Sequence, residues 1–203
     1  TPARRASTLS TNSLEISMSE VGTYDVVDGI GVITVDNPPV NALGVKTRVA
    51  LDEGFRKFAD DASVKAIVLT CGGRTFFAGA DISEFGKPPQ GPNLHEVMDL
   101  IENLKKPVVA AIHGTALGGG FEVALVCHYR IAVPSAKVGL PEVALGLLPG
   151  AGGTQRLPRI VGPEAALDIM TGGKPVGAKK ALEVGMIDAL ATEGKLREDA
   201  IAF

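Results

Sequence analysis

Apolar residues along the chain follow two spacings in turn, and these predict strands and helices. Short β-prone runs at 23–27 and 30–35 flank Asp28-Gly29, a pair typical of tight hairpin turns. Apolar residues at helical spacing predict one helix over 44–59 and a second over 94–104. The amino-terminal half therefore begins with a hairpin and continues into mixed helices and strands.

Two apolar runs without polar alternation, at 64–70 and 108–112, indicate strands covered on both faces. Gly118 to Gly120 then begins an apolar helix that runs to about Cys127. The remaining predicted elements are strands at 129–133 and 137–140 and helices at 153–160, 163–171 and 177–185. Because strands alternate with helices, the fold class is α/β. The many short units that join at glycine corners favour a layered spiral over an open sheet.

Composition fits one globular domain and excludes several functions. The 203 residues are 45% hydrophobic and 21% charged, with a net charge of −3 and basic residues scattered without interleaved aromatics. This composition argues against a nucleic-acid partner. No apolar run reaches about 18 residues, so we expect no transmembrane helix and no membrane partner. Cys71 and Cys127 lack metal-ligand spacing, and we interpret them as reduced thiols.

The first 17 residues differ from the rest of the chain. They are rich in Ser and Thr, contain Arg4 and Arg5, and have Glu15 as their single acid. We interpret 1–17 as a flexible leader, with a cloning remnant and a short transit peptide as the two alternatives, and 18–203 as one domain.

Several motifs fail the tests for cofactor or metal sites. The glycines at 150–155 lack the last glycine of a dinucleotide fingerprint and follow a loop, and 171–175 lacks the spacing of a P-loop. The histidines share no ligand spacing, and no Gly-x-Ser-x-Gly elbow is present. We therefore expect neither a bound nucleotide cofactor nor a metal.

Three small-residue segments, at 78–82, 117–121 and 148–152, are suited to expose backbone N–H groups. A helix that begins at Gly118 to Gly120 has unpaired N–H donors and a partial positive charge at its first turn. Such an end stabilises a developing negative oxygen, and one donor can contribute about 3–4 kcal/mol in a transition state. Gly119 has no Cβ, so a substrate can approach its backbone.

Glu122 and Glu142 lie 20 residues apart, each inside an apolar segment. Burying a carboxylate is costly unless it is paired. Either glutamate alone is also explained as an acid at a helix start. Together, beside exposed N–H donors, they indicate proton transfer at a carbon next to a carbonyl.

The chain resembles the enoyl-CoA hydratase/isomerase family, the crotonase superfamily. The resemblance covers roughly residues 22–190. The segments that match in order are 36–43, 77–82, 106–114, 117–122 and 139–157. The sequences of these segments are most similar to the hydratase part of bifunctional fatty-acid β-oxidation enzymes. Those enzymes join the hydratase part to a 3-hydroxyacyl-CoA dehydrogenase.

This resemblance implies a crotonase-type spiral of ββα turns. The chain departs from stand-alone family members after 185–188, where they continue into further helices, so we expect the helical part at the carboxyl end to be short or missing. The resemblance implies Glu122 and Glu142 as the acid and base, and the N–H groups of Ala80 and Gly119 as an oxyanion hole. The implied substrate is a 2-enoyl-CoA, so we expect no separate cofactor. The residues implied to line its site are Val40, Ala42, Ala78, Asp81, Ile82, Gly118, Pro141 and Gly150.

The resemblance leaves three functions open. Two glutamates favour hydration of trans-2-enoyl-CoA to 3-hydroxyacyl-CoA, with a 3,2-enoyl-CoA isomerase or another crotonase-type enzyme as the alternative. A truncated, non-catalytic acyl-CoA binding module is the third. The assembly is expected to be a homotrimer, or a monomer if the chain is a fragment of a bifunctional enzyme. The expected location is cytoplasmic, or mitochondrial or peroxisomal in a eukaryote.

Overall fold

The computed structural model describes residues 20–203. Within that range the chain forms strands and helices in alternation, with 3-10 turns at Ile82–Glu84 and Glu142–Leu145. The elements are β1 Gly22–Val27, β2 Ile30–Val35, α1 Val45–Asp60, β3 Ala66–Cys71, α2 Leu94–Glu102, β4 Val108–Ile112, β5 Thr115–Leu117, α3 Gly119–Val126, β6 Tyr129–Ala132, β7 Lys137–Gly139, α4 Gly153–Val161, α5 Pro163–Gly172, β8 Val176–Gly177, α6 Ala178–Glu183, β9 Ala189–Leu190 and α7 Leu196–Ala202.

The strands form two sheets. A six-stranded sheet has the order β1-β2-β3-β4-β6-β9 and is parallel except for the β1–β2 hairpin. The hairpin turn places Asp28 at φ 51° and Gly29 at φ 82°, the positive angles that a two-residue turn between twisted strands requires. A three-stranded sheet has the order β5-β7-β8. The turn from β5 into α3 therefore connects the second sheet to the apolar helix.

One apolar cluster fills the space between the large sheet and its helices. Helix α1 covers the sheet with Phe55 and Phe58, which are fully buried. Close approach requires glycine on the sheet side, since a Cβ at Gly31 would lie 2.6 Å from Cδ2 of Phe58. Helix α3 is buried along its whole length apart from its first residue, as its largely apolar sequence predicts.

The structure confirms the α/β class and most predicted elements, with ends shifted by one or two residues. Four elements were not predicted: β5, β8, β9 and α7. The three strands have two or three residues each and exist only through pairing to β7 or β6, which no local pattern encodes.

The predicted leader at 1–17 lies outside the described residues. No helix in 20–203 is both long and apolar enough to span a bilayer.

Candidate active site

The backbone N–H groups of Ala80 and Gly119 lie close together at one end of helix α3. A Cβ built on Gly119 would lie 3.7 Å from the Ala80 nitrogen. Across residues 20–203, neither of these two N–H groups donates to another protein group. The structure thus brings together the two donors that the sequence analysis selected for an oxyanion hole.

Two glycines on α3 allow this arrangement. Gly118 caps the helix at φ 54°, and its N–H donates to the carbonyl of Gly139 at 2.9 Å, which ties the helix start to β7. A Cβ on Gly120 would lie 2.1 Å from the carbonyl oxygen of Phe77. Only glycine therefore lets α3 lie against the segment that leads into Ala80.

Glu122 lies on the first turn of α3 with 2% of its surface exposed. Its Oε1 accepts the backbone N–H of Ala151 at 2.8 Å and that of Gly153 at 2.7 Å. Two backbone donors on one oxygen satisfy a buried carboxylate without a counter-ion. The Glu122 side chain is therefore fixed by the start of helix α4.

Glu142 begins the 3-10 turn between β7 and α4 and is half-buried. Within the described chain, its Oε2 is the buried side-chain oxygen without a hydrogen-bond partner. Burial raises the pKa of Glu142 above its usual value; a hydrogen bond within its own residue opposes this, and the negative charge of Glu122 adds to it. A Cβ on Gly118 would lie 3.0 Å from Oε1 of Glu142, so this carboxyl lies beside the helix start.

A cavity of about 460 Å³ opens beside the N–H pair, with Ala80 and Asp81 in its wall. Apolar side chains of Leu43, Phe85 and Leu94 form another part of that wall. Asp81 itself caps the 3-10 turn by accepting the N–H of Ser83 at 2.9 Å. Its carboxylate therefore has a structural partner beside the place predicted for substrate.

The other predicted substrate residues are distributed around this region. Val40 and Ala78 line a smaller cavity of about 280 Å³, and the Val40 carbonyl accepts the Ala78 N–H at 3.2 Å. The hydroxyl of Thr47 donates to the Ala42 carbonyl, and the side chain of Ile82 is 75% exposed. The remaining two flank the glutamates: Pro141 precedes Glu142, and Gly150 is exposed one residue before Ala151.

The third small-residue segment has a different role from the predicted one. We expected 148–152 to expose N–H groups, but the N–H of Ala151 is used by Glu122, together with that of Gly153. The glycine pattern correctly indicated that another group approaches the backbone of this segment closely. It could not show that the partner was a side chain of the protein.

A buried arginine next to the large cavity was also missed. Arg48 donates to the carbonyls of Leu43, Gln90 and Pro92 and forms a 2.7 Å ion pair with Glu84. These bonds fasten the 84–92 loop, which walls the cavity, to helix α1. An arginine at helical spacing inside an apolar face was the available signal.

Two histidines, His113 and His128, and both cysteines take structural places. Nε2 of His113 lies 3.2 Å from the carbonyl of Gly73, and Nδ1 of His128 accepts the N–H of Val108. Both cysteines are free and buried, and burial raises the pKa of Cys127 to about 12. In the part that the structure describes, no group of three or more His, Cys, Asp or Glu side chains could hold a metal ion.

Comparison with known proteins gives one consistent family. The enoyl-CoA hydratase/isomerase family matches residues 25–203. A peroxisomal bifunctional enzyme of Danio rerio is 51% identical over 181 residues, which are 89% of this chain and 25% of that protein. A glyoxysomal fatty acid β-oxidation multifunctional protein of Cucumis sativus is 42% identical over 197 residues, 93% of this chain and 27% of that protein. The chain thus spans about a quarter of the length of these relatives.

Solved structures agree with the sequence matches. The enoyl-CoA hydratase of Bacillus anthracis superposes with a TM-score of 0.83 at 33% identity, covering 90% of this chain and 74% of that one. An enoyl-CoA hydratase subunit of Geobacillus kaustophilus superposes with a TM-score of 0.82 at 36% identity, covering 90% of this chain and 73% of that one. The strands and helices described above therefore form a crotonase-type fold.

Proposed function

The chain belongs to the enoyl-CoA hydratase/isomerase family, and we propose that it hydrates trans-2-enoyl-CoA thioesters to 3-hydroxyacyl-CoA in fatty-acid β-oxidation. The observation that carries the proposal is that both carboxyl groups lie at the start of helix α3, which also presents the free N–H of Gly119. Glu122 lies on the first turn of this helix, and Glu142 lies beside its cap, Gly118. Relatives named for enoyl-CoA hydration and for fatty-acid β-oxidation support it.

In this proposal the thioester oxygen occupies the space between the N–H groups of Ala80 and Gly119. Addition at C3 moves electron density from the double bond onto that oxygen, which becomes negative. Two fixed donors stabilise this charge without reorganisation, and each can lower the barrier by about 3–4 kcal/mol. The remainder of the acyl-CoA would extend along the cavity beside Ala80 and Asp81.

The surroundings of the two glutamates suggest different roles. Glu122 accepts two N–H bonds, and we assign it the task of taking a proton from water as the water oxygen bonds to C3. Glu142 has an unpaired buried oxygen and a raised pKa, which favours the protonated form, and we assign it the delivery of a proton to C2. The net change is the addition of one water across C2 and C3, and proton exchange with solvent restores both carboxyls.

The decisive experiment is hydration of crotonyl-CoA by Glu122→Gln and Glu142→Gln variants. Each should lose at least about 10²-fold in kcat while remaining folded, because general acid–base catalysis contributes that much. Glu164→Gln, an exposed glutamate on α5, is the matched control and should keep wild-type turnover. Near-normal turnover in either active-site variant would remove that glutamate from the mechanism.

Two alternatives have distinct outcomes in related assays. A 3,2-enoyl-CoA isomerase would convert 3-enoyl-CoA and lose that activity with one glutamate variant while keeping it with the other. A non-catalytic module would bind CoA esters in a calorimeter without turnover. The presence of both carboxyls in one site favours hydration over either alternative.

The proposal includes no separate cofactor, because CoA is part of the substrate. For the assembly, the expectation remains a homotrimer, or a monomer if the chain is part of a bifunctional enzyme, and a mass measurement in solution decides between them. Relatives named peroxisomal or glyoxysomal support a peroxisomal location in a eukaryotic source, with the cytoplasm as the expectation for a bacterial one.

A further inference from the structure

The loop that holds Glu122 is itself held by an arginine on helix α4. Nη1 of Arg156 donates to the carbonyl of Ala151 at 3.0 Å, and the N–H on the other side of that residue donates to Glu122. Only Ala151 therefore separates the guanidinium from the buried carboxylate. The side chain of Arg156 is 21% exposed, so its position is largely fixed by protein contacts.

Arg156 is in turn oriented by the end of helix α2. Its Nε and Nη2 donate to the two oxygens of Glu102 at 3.0 and 2.6 Å, a bidentate pair of defined geometry. These hydrogen bonds lower the pKa of Glu102 below its usual value. The same helix begins with Leu94, whose Cδ2 would lie 3.6 Å from a Cβ on Gly119. Helix α2 thus lies beside Gly119 at one end and binds the arginine at the other.

The backbone makes room for this guanidinium. Gly152 has φ 94°, and a Cβ there would lie 2.2 Å from Nη1 of Arg156. A side chain at 152 would therefore displace the arginine from the Ala151 carbonyl. The glycine, the arginine and Glu102 therefore form one set of mutually fitting contacts.

We propose that Arg156, oriented by Glu102, is a positioning residue that fixes the N–H groups of Ala151 and Gly153 against Glu122. The inference rests on the proposed function, since it assigns the arginine to the residue proposed to activate water. Substrate does not need to touch Arg156. Its loss should consequently change the rate of the chemical step more than the binding of the thioester.

Hydration kinetics and amide exchange test this inference together. Arg156→Gln should lower kcat at least about 10-fold with KM within about twofold, and the amides of Ala151 and Gly153 should exchange at least about 10-fold faster. Glu102→Gln should give a smaller change in the same two measurements, and adding it to Arg156→Gln should cause little further loss because both act through one contact. Arg159→Gln is the matched control, since Arg159 lies on the same helix and donates to Gln155 instead.

The two measurements separate this inference from the hydratase proposal. Should the wild-type protein not hydrate enoyl-CoA, amide exchange in Arg156→Gln still decides whether the arginine holds the loop. Unchanged exchange at 151 and 153, or a kcat within twofold of wild type in an active enzyme, overturns the inference. If Arg156→Gln does not fold, Arg156→Lys gives the same readout, because lysine keeps the charge but cannot bond Glu102 and Ala151 in the same geometry.

Discussion

Gly153 donates its backbone N–H to Oε1 of Glu122 at 2.7 Å, which joins the first residue of one helix to the first turn of another. The contact leaves no space for a side chain at 153. The direct hydrogen-bond donors to this carboxylate are main-chain N–H groups. Substitutions that move this backbone should therefore affect the reaction without altering either glutamate.

Gly153→Ala is the most direct of these substitutions. Its Cβ would lie 2.9 Å from Oε1 of Glu122 and 2.8 Å from Cδ1 of Leu140. We expect a loss of about 1–3 kcal/mol in the free energy of unfolding from overpacking, and at least about 10-fold in kcat. Denaturant unfolding and hydration kinetics measure the two effects. Gly172→Ala has open space at its Cβ and should change neither; an active, fully stable Gly153→Ala would contradict the geometry.

Gly119→Ala should separate catalysis from folding. A Cβ at 119 would be in ordinary contact with Leu43 and Leu94 and 3.7 Å from the Ala80 nitrogen, in the space proposed for the thioester oxygen. We expect near wild-type stability and a loss of about 10²-fold in kcat/KM, comparable to removing one oxyanion donor.

The neighbouring variant gives the opposite expectation. Gly120→Ala places a Cβ 2.1 Å from the Phe77 carbonyl and should destabilise the fold by more than about 4 kcal/mol. Thermal unfolding of both variants, measured side by side, checks the pair. If both variants were destabilised equally, glycine at 119 would be required for packing and not for access of the substrate.

The ionisation of Glu142 should lower the free energy of unfolding as the pH rises. Burial raises its pKa in the folded state, with the charge of Glu122 as a further cause, whereas an unfolded glutamate titrates near about 4.3. Below about pH 4 the Glu142 carboxyl is protonated in the folded and in the unfolded state, so it does not destabilise the folded state. As the pH rises through the folded pKa, the folded state must release a proton that it binds more tightly than the unfolded chain does.

The stability gained by Glu142→Gln over wild type should therefore grow with pH and then level off. Denaturant midpoints of the two proteins between pH 4 and 8 measure this difference. A gain that is independent of pH would show that the carboxyl is not protonated preferentially in the fold. Glu164→Gln supplies the comparison for loss of one exposed carboxylate.

Arg48 should stabilise the cavity wall far more than a surface ion pair does. Its side chain is 10% exposed and bonded to Glu84 and to three carbonyls, so Arg48→Met leaves several groups unpaired. We expect a loss of about 3 kcal/mol and faster proteolysis within 84–92. Lys46→Met, which breaks the exposed pair with Glu20, should cost about 1 kcal/mol or less. If the two substitutions lowered the free energy of unfolding equally, the bonds of Arg48 would not be stabilising the 84–92 loop.

Much of the fold was predictable because its elements have strong local patterns. The hairpin turn at Asp28-Gly29, the amphipathic helix α2 and the apolar strand β4 all occur where the sequence placed them. Strands β5, β8 and β9 were not predictable, since their two or three residues have no period and are defined by a partner distant in sequence.

The site divides in the same way. Their apolar surroundings singled out Glu122 and Glu142, and the small-residue segments together with the family resemblance pointed to Ala80 and Gly119. The catalytic roles of these residues remain predictions. The contact between Arg156 and Glu102 spans 54 residues and joins two polar surface positions of ordinary helices. No local signal distinguishes such a pair from solvated charges, so only the tertiary structure reveals it.

Glu122 and Glu142 lie in segments whose local unfolding requires different free energies. Glu122 lies in the buried core, whereas Glu142 lies on a short 3-10 turn whose Val143, Leu145 and the following Leu147 are exposed. Such a segment can open at a small fraction of the free energy that global unfolding requires. On heating, Glu142, the proposed proton donor, would then leave its position while the sheet remains intact, so activity would decline at temperatures where circular dichroism still reports a folded protein.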